Sequence, residues 1–173
     1  FNKGIENPIN PSGHKAAYLW EEVLTKNNIL NLIQNYVFLQ EKEDTEENEP
    51  KKYDLIFPRY HQFDVIDKLT PDIISNDVGK KYLIQHTTGS GKSLTIAWLT
   101  YKLSNLFKSK ESLNKIYDTV IVLTDRRILD KQLRNTILQL QQVEGVVNPV
   151  TKDSQELKKF IETGKKIIVS TIQ

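Results

Sequence analysis

Residues 85–93 read Gln-His-Thr-Thr-Gly-Ser-Gly-Lys-Ser. Two glycines, a lysine and a hydroxyl at this spacing are what a chain of phosphates requires. Gly89 and Gly91 let the backbone turn its amides inward where a Cβ would obstruct. Lys92 reaches the outer phosphates, and Ser93 is placed to ligate Mg²⁺. Thr87, Thr88, Ser90 and Leu94 complete the cradle and the helical turn behind it, so 87–94 reads as a nucleoside triphosphate site with Lys92 as its catalytic cation. The strict phosphate-loop pattern has glycine where this chain has His86. A histidine is accommodated there if the turn begins one residue later, and it reads as filling space beside the loop, with a catalytic acid or base as the alternative. The plain alternative for the stretch is a Gly-Ser-Gly turn before a helix bearing a surface lysine. An apolar run before the loop and a helical pattern after it argue for the functional reading.

Three further stretches carry chemistry-bearing residues. In "VIVLTDRRILDKQL", 120–133, an apolar strand ends in Asp125, which could hold a metal, yet Arg126 follows it where hydrolases of this class carry a second acid. Arg126 and Arg127 fall in a first helical turn, where each cation opposes the helix dipole by about 0.3–1 kcal/mol unless an anion compensates. A DNA phosphate would compensate, and so would an ion pair from Arg126 to Asp130; both stay open. In "IIVSTIQ", Ser170 and Thr171 at a strand end could hydrogen-bond phosphate or could simply end the strand. "PDIISNDVGKK" holds Pro71 and Asp72, but Asp77 and Lys80 are spaced wrongly for a nuclease motif.

The elements that must position these groups follow from periodicity. "YLIQH" (82–86), "TVIVLT" (119–124) and "KIIVST" (166–171) are apolar without alternation, as expected for parallel strands buried on both faces. Helical segments lie between them. "KSLTIAWLTYKLSNLF" follows the first run, and "RRILDKQLRNTILQL", with Leu129, Leu133, Ile137 and Leu140 on one face, follows the second. "SQELKKFIETG", with a glycine cap at Gly164, precedes the third. The alternation predicts right-handed βαβ units in an α/β fold. Upstream, Ala16, Leu19, Trp20, Val23 and Leu24, then Ile29, Leu30, Ile33 and Val37, predict two short helices broken near Asn27 and Asn28. The domain reading is a helical connector over 1–40, an acidic solvated linker over 41–52, and the main α/β domain over 53–173.

Composition bounds the rest. With 38% hydrophobic and 27% charged residues in 173, the chain holds one main core, and no apolar run approaches the ~20 residues of a membrane helix. The absence of cysteine excludes disulfides and thiolate metal sites and fits a reducing cytoplasm. Residues 41–52 concentrate six acids against three lysines, leaving the remainder with a basic excess that permits a polyanionic partner. "FNKGI" at one end and "STIQ" at the other suggest a fragment of a longer chain.

Taken in order, "AYLWEEVL", "FPRYHQ", "YLIQHTTGSGKS", "VIVLTDRRILDKQL" and "IIVSTIQ" resemble the R (restriction, motor) subunit of type I restriction enzymes, within the superfamily-two helicases and translocases. The resemblance runs from about residue 7 to the last residue. In that family the phosphate loop commonly begins with histidine, so His86 agrees with the specific pattern while departing from the generic one. The resemblance implies an incomplete RecA-like lobe with a parallel sheet flanked by helices, and binding of ATP with Mg²⁺. It implies that Gln62 reads adenine, its amide matching the donor and acceptor edges, with Arg59 and His61 beside it. It implies backbone contact to double-stranded DNA from Arg126, Arg127 and Thr171, and methyltransferase and specificity subunits as partners. The parent enzyme would be an ATP-dependent type I site-specific deoxyribonuclease that translocates DNA and cleaves it. Nothing after Lys92 supplies the Asp-Glu pair that orients attacking water, so the fragment alone is expected to be inactive. Other superfamily-two helicases, a P-loop kinase using Asp125, and a non-catalytic nucleotide-binding module are the alternatives.

Overall fold

The computed structural model describes residues 13–17, 19–41, 52–76, 78–109, 114–125, 127–141 and 144–172, with backbone only for Glu41 and 127–130. The chain divides into two compact units, Phe1–Asp64 and Val65–Gln173.

In the first unit a π-helical turn, Leu19–Val23, is followed by helix α1, Lys26–Asn35. The break falls at Leu24 and Thr25, not at Asn27 and Asn28. Asn28 instead lies in the first turn of α1 and donates its side-chain amide back to the Glu22 carbonyl at 2.6 Å, which ties the helix to the preceding turn. The buried residues of this segment are Ala17, Leu32 and Tyr36, whereas Trp20, Leu24, Leu30 and Ile33 are exposed. The helix carries apolar residues on more than one face, and the face that is buried is the one whose continuation, Tyr36, meets a partner: its ring lies 5.3 Å from that of Phe63. Strands β1, Phe38–Glu41, and β2, Tyr53–Ile56, then pair antiparallel with Phe38 opposite Ile56. The acidic stretch expected as a linker between domains therefore joins two paired strands of one unit; most of it, 42–51, lies outside the described residues. Helix α2, Tyr60–Asn76, contains the division between the units.

The second unit is α/β. Helix α3, Lys92–Ser104, strand β3, Val120–Thr124, helix α4, Arg127–Gln139, strand β4, Val147–Pro149, helix α5, Ser154–Glu162, and strand β5, Ile167–Thr171, follow in order. The sheet is parallel in the order β3-β5-β4, with Val120 opposite Ile167 and Thr124 opposite Thr171. Ile167, Ile168 and Val169 of β5 are completely buried. Ile167 and Val169 meet Ala97 of α3, Leu133 and Ile137 of α4, Val122 and Val147 in one core, and the α4 stripe expected from spacing faces it through Leu133, Ile137 and Leu140. Tyr101 ties α3 to α4 by donating its hydroxyl to the Ile137 carbonyl at 2.9 Å, and burial raises its pKa to about 12. The expected glycine cap of α5 is present: at Gly164, φ is +66°, and Gly164 and Lys165 N–H groups donate to Ile161 and Phe160 carbonyls, the paired bonds of a Schellman motif.

Two expectations about strands fail. "YLIQH" does not become a strand: none is formed over 80–87, and Leu83 is 93% exposed. An apolar run becomes a strand only where a neighbour accepts its backbone bonds, and no strand pairing includes this run among the described residues. β3 is buried on one face only, through Val122, while Ile121 and Leu123 are exposed. Conversely β4, the tripeptide Val-Asn-Pro, has little strand propensity of its own and forms because it aligns with Ile167–Val169.

Replacing fully buried Ile167 with Ala in this chain should lower its unfolding free energy by about 2–5 kcal/mol. Leu83→Ala should stay within about 0.5 kcal/mol. Urea titration of both variants checks the contrast; an equal loss at Leu83 would mean that the run is packed after all.

Candidate functional site

The loop before α3 is built by two left-handed glycines. Gly89 has φ +77° and Gly91 φ +81°. A Cβ on Gly89 would meet nothing within 4 Å, so glycine is required there by conformation and not by space; an L-residue held in this region costs about 1–2 kcal/mol. Gly91 is also the N-cap of α3, and as glycine it offers no side-chain acceptor to the first-turn amides. That turn contains no acid, and it begins with a cation, Lys92. A helix start so arranged favours an anion from outside. Lys92 folds back over the loop: its Nζ donates to the carbonyl of Thr87 at 2.9 Å and to that of His86 at 3.4 Å. The ammonium thus sits against the loop backbone, at the start of the helix whose second residue is Ser93. Ser90 is buried within the loop, while Thr87, Thr88, Gly89, Lys92 and Ser93 are exposed and Leu94 is partly buried. The backbone of His86 contributes through its carbonyl.

Gln62 lies in the first unit and is 2% exposed. It is the third residue of α2, and its Oε1 accepts the Arg59 N–H at 2.8 Å. This is half of a capping box: a glutamine three positions in, reaching back to the residue that precedes the helix. The amide orientation is therefore set by the helix start itself. Arg59 is exposed and His61 partly buried.

The register of the sheet brings together the two stretches read as nucleic-acid contacts. Thr124 and Thr171 are direct partners at the carboxyl ends of β3 and β5, and the Ile172 N–H donates to the Thr124 carbonyl at 2.9 Å. Thr124 and Asp125 consequently leave the sheet beside Thr171 and Ile172, at the edge where open α/β sheets bind their ligands. Arg127 opens α4; its side chain and all of Arg126 lie outside what the structure describes. Asp125 is exposed, and no group of three or more His, Cys, Asp or Glu able to hold a metal occurs among the described residues. The rejected nuclease pattern behaves as a structural pair: Asp72 of α2 receives Lys80 Nζ at 2.7 Å, and this bond, with one from Tyr82, holds the Asp72 carboxyl below its usual range.

One group on this edge escaped the sequence reading. Asp153 caps α5, its Oδ1 accepting the N–H groups of Gln155 and Glu156 at 3.0 Å each. Glu156 in turn reaches back past the cap, Oε2 accepting from Thr151 N at 2.7 Å and Lys152 N at 2.9 Å. Those two backbone bonds hold its carboxyl below the ordinary carboxylate range. The signal was available as Asp-x-x-Glu before an amphipathic helix.

Residues 61–173, more than half of the chain, match the SWI2/SNF2 ATPase family. The chain is 29% identical over 131 residues to a type I restriction enzyme endonuclease subunit of Methanocaldococcus jannaschii, a match covering 73% of this chain and 12% of that protein. A type I restriction enzyme endonuclease subunit of Staphylococcus aureus strain COL is 30% identical over 99 residues, 57% of this chain and 10% of its own length. One of Staphylococcus saprophyticus is 27% identical over 153 residues, 88% of this chain and 14% of its own length. The chain thus spans between a tenth and a seventh of these relatives.

Because the folded-state pKa of Glu156 is depressed, its bonds to Thr151 and Lys152 are intact above the ordinary carboxylate pKa and are lost as pH falls through the lowered value. The protection of the Thr151 and Lys152 amides relative to their intrinsic exchange, followed by NMR down an acid series, should fall in that window. Glu156→Gln should already exchange faster at neutral pH.

Proposed function

The chain belongs to the SWI2/SNF2 ATPase family, and from that premise we propose that it is the nucleotide-binding part of a DNA-translocating motor of the kind carried by type I restriction endonuclease subunits. The observation that carries the reading is the loop at 86–93: left-handed Gly89 and Gly91, a helix start with no internal anion, and Lys92 folded onto the loop carbonyls. Such a site stabilises charge that shifts between phosphate oxygens, which is the main demand of phosphoryl transfer.

In this reading Thr87 to Leu94 cradle the phosphates, Lys92 exchanges its carbonyl partners for phosphate oxygens, and the Ser93 hydroxyl holds Mg²⁺. Mg²⁺ would neutralise charge building on the bridging oxygens. Gln62, oriented by its bond to Arg59, reads adenine and makes the site selective for ATP. Arg126, Arg127 and Thr171 touch DNA through its phosphates. Contacts of that type position without reading sequence, as suits a motor whose choice of target rests elsewhere. The larger activity, ATP-driven translocation of double-stranded DNA followed by cleavage, in the cytoplasm and together with methyltransferase and specificity subunits, is part of the same proposal. It is supported by the similarity to type I restriction enzyme endonuclease subunits and by the paired strand ends at Thr124 and Thr171. No described helix is long and apolar enough to cross a membrane.

In the intact protein, Lys92→Ala should lower DNA-stimulated ATP hydrolysis by roughly 100- to 1000-fold, the usual effect of removing one preorganised donor from developing charge. Retained turnover would refute the assignment. Gln62→Ala should narrow the preference for ATP over GTP in the same assay, and an unchanged ratio would remove Gln62 from the site.

A further inference from the structure

A cavity of about 760 Å³ opens at the carboxyl end of β5. Its walls come from three separate stretches: Ser170 and Thr171 of the strand, the loop 150–154 that follows β4, and Arg134 of α4. The loop is held from both sides. Glu156 of α5 accepts the Thr151 and Lys152 amides, and Arg134 donates Nη2 to the Val150 carbonyl at 3.4 Å. The β4–β5 pairing fixes where the loop starts, with the Val150 N–H bonded to the Val169 carbonyl at 2.8 Å. A braced loop therefore presents Lys152 and Thr151 to the same space as Arg134 and Thr171.

The charge of the lining sets the ligand. Arg134 and Lys152 are cations, Thr151, Ser154, Ser170 and Thr171 supply hydroxyls, and the single acid among the lining residues, Asp153, has Oδ1 committed to two amides of α5. The α5 amides are thus satisfied internally, and an anion here would be held by side chains and not by the helix start. Cations and hydroxyls without base-reading amides match a phosphodiester. We propose that this cavity is a backbone-phosphate subsite on the DNA track, with Lys152 and Arg134 as its cations and Glu156 as the positioning residue that holds the loop carrying Lys152. The proposal rests on the motor reading above, and it extends the track from Thr171 across the sheet edge toward β4.

Lys152 is exposed and Arg134 is partly buried against the loop, so Lys152 is the variant to make. Binding of the intact protein to a double-stranded DNA oligonucleotide is measured by anisotropy as salt is varied between about 50 and 200 mM. Lys152→Ala should bind several-fold more weakly, with the slope of log K against log salt shallower by about 0.9, the loss of one neutralised phosphate. Lys152→Arg should restore both. Glu156→Gln should reduce affinity while also accelerating amide exchange at Thr151 and Lys152, whereas a residue of purely structural importance would lower the thermal midpoint without changing the salt slope. If Lys152→Ala superimposes on the unaltered protein at every salt concentration while both bind DNA, Lys152 and its cavity are off the track and the motor reading survives. If the unaltered protein shows neither DNA binding nor DNA-stimulated ATPase, the motor reading itself falls.

Discussion

The second unit hangs on one strand. β5 has its residues Ile167 to Val169 wholly out of water and both of its backbone edges paired, with β3 on one side and β4 on the other. Parallel pairing cannot be closed by a tight turn, so each connection must leave the sheet, cross it as a helix and return. That requirement places α4 and α5 and fixes which strand ends share an edge. Thr124, Thr171 and the loop after Pro149 meet at the carboxyl edge because β5 aligns all three, not because any of them attracts another.

Two helices with differently prepared starts follow from the same chain. α5 begins with Asp153 bonded to its own amides, and Glu156 ties down the loop before it, so this start is internally complete and serves as a brace. α3 begins with a left-handed glycine that offers no side-chain acceptor to the first-turn amides and with a lysine that opposes the dipole. Unfavourable arrangements of this kind persist where a ligand resolves them. The contrast separates the helix whose start is completed internally from the one whose start is proposed to take phosphate.

Much of this was readable from local pattern. The phosphate loop is a contiguous stretch whose glycines, lysine and serine carry their meaning in spacing alone, and the left-handed angles at Gly89 and Gly91 are what that spacing demands. The buried face of α4 and the Gly164 cap of α5 are equally local. The misreadings share a cause. "YLIQH" has the composition of a buried strand but no pairing among the described residues, and Val147–Pro149 has a poor composition yet is paired. α1 presents apolar residues on several faces, and only the meeting of Tyr36 with Phe63 distinguishes the buried one. The pairing of the strands on either side of the acidic stretch is likewise a relation that its charge density does not encode.

The amino-acid sequence by itself determined the glycine turns of the loop at 86–93, the helices of the α/β unit and the family resemblance, since these depend on residues a few positions apart. Tertiary structure alone decided which strands exist, that Thr124 stands opposite Thr171, and that Lys152, Arg134 and Thr171 line one cavity. Those are contacts between stretches tens of residues apart, and their register is set by backbone pairing and core packing that no local pattern encodes.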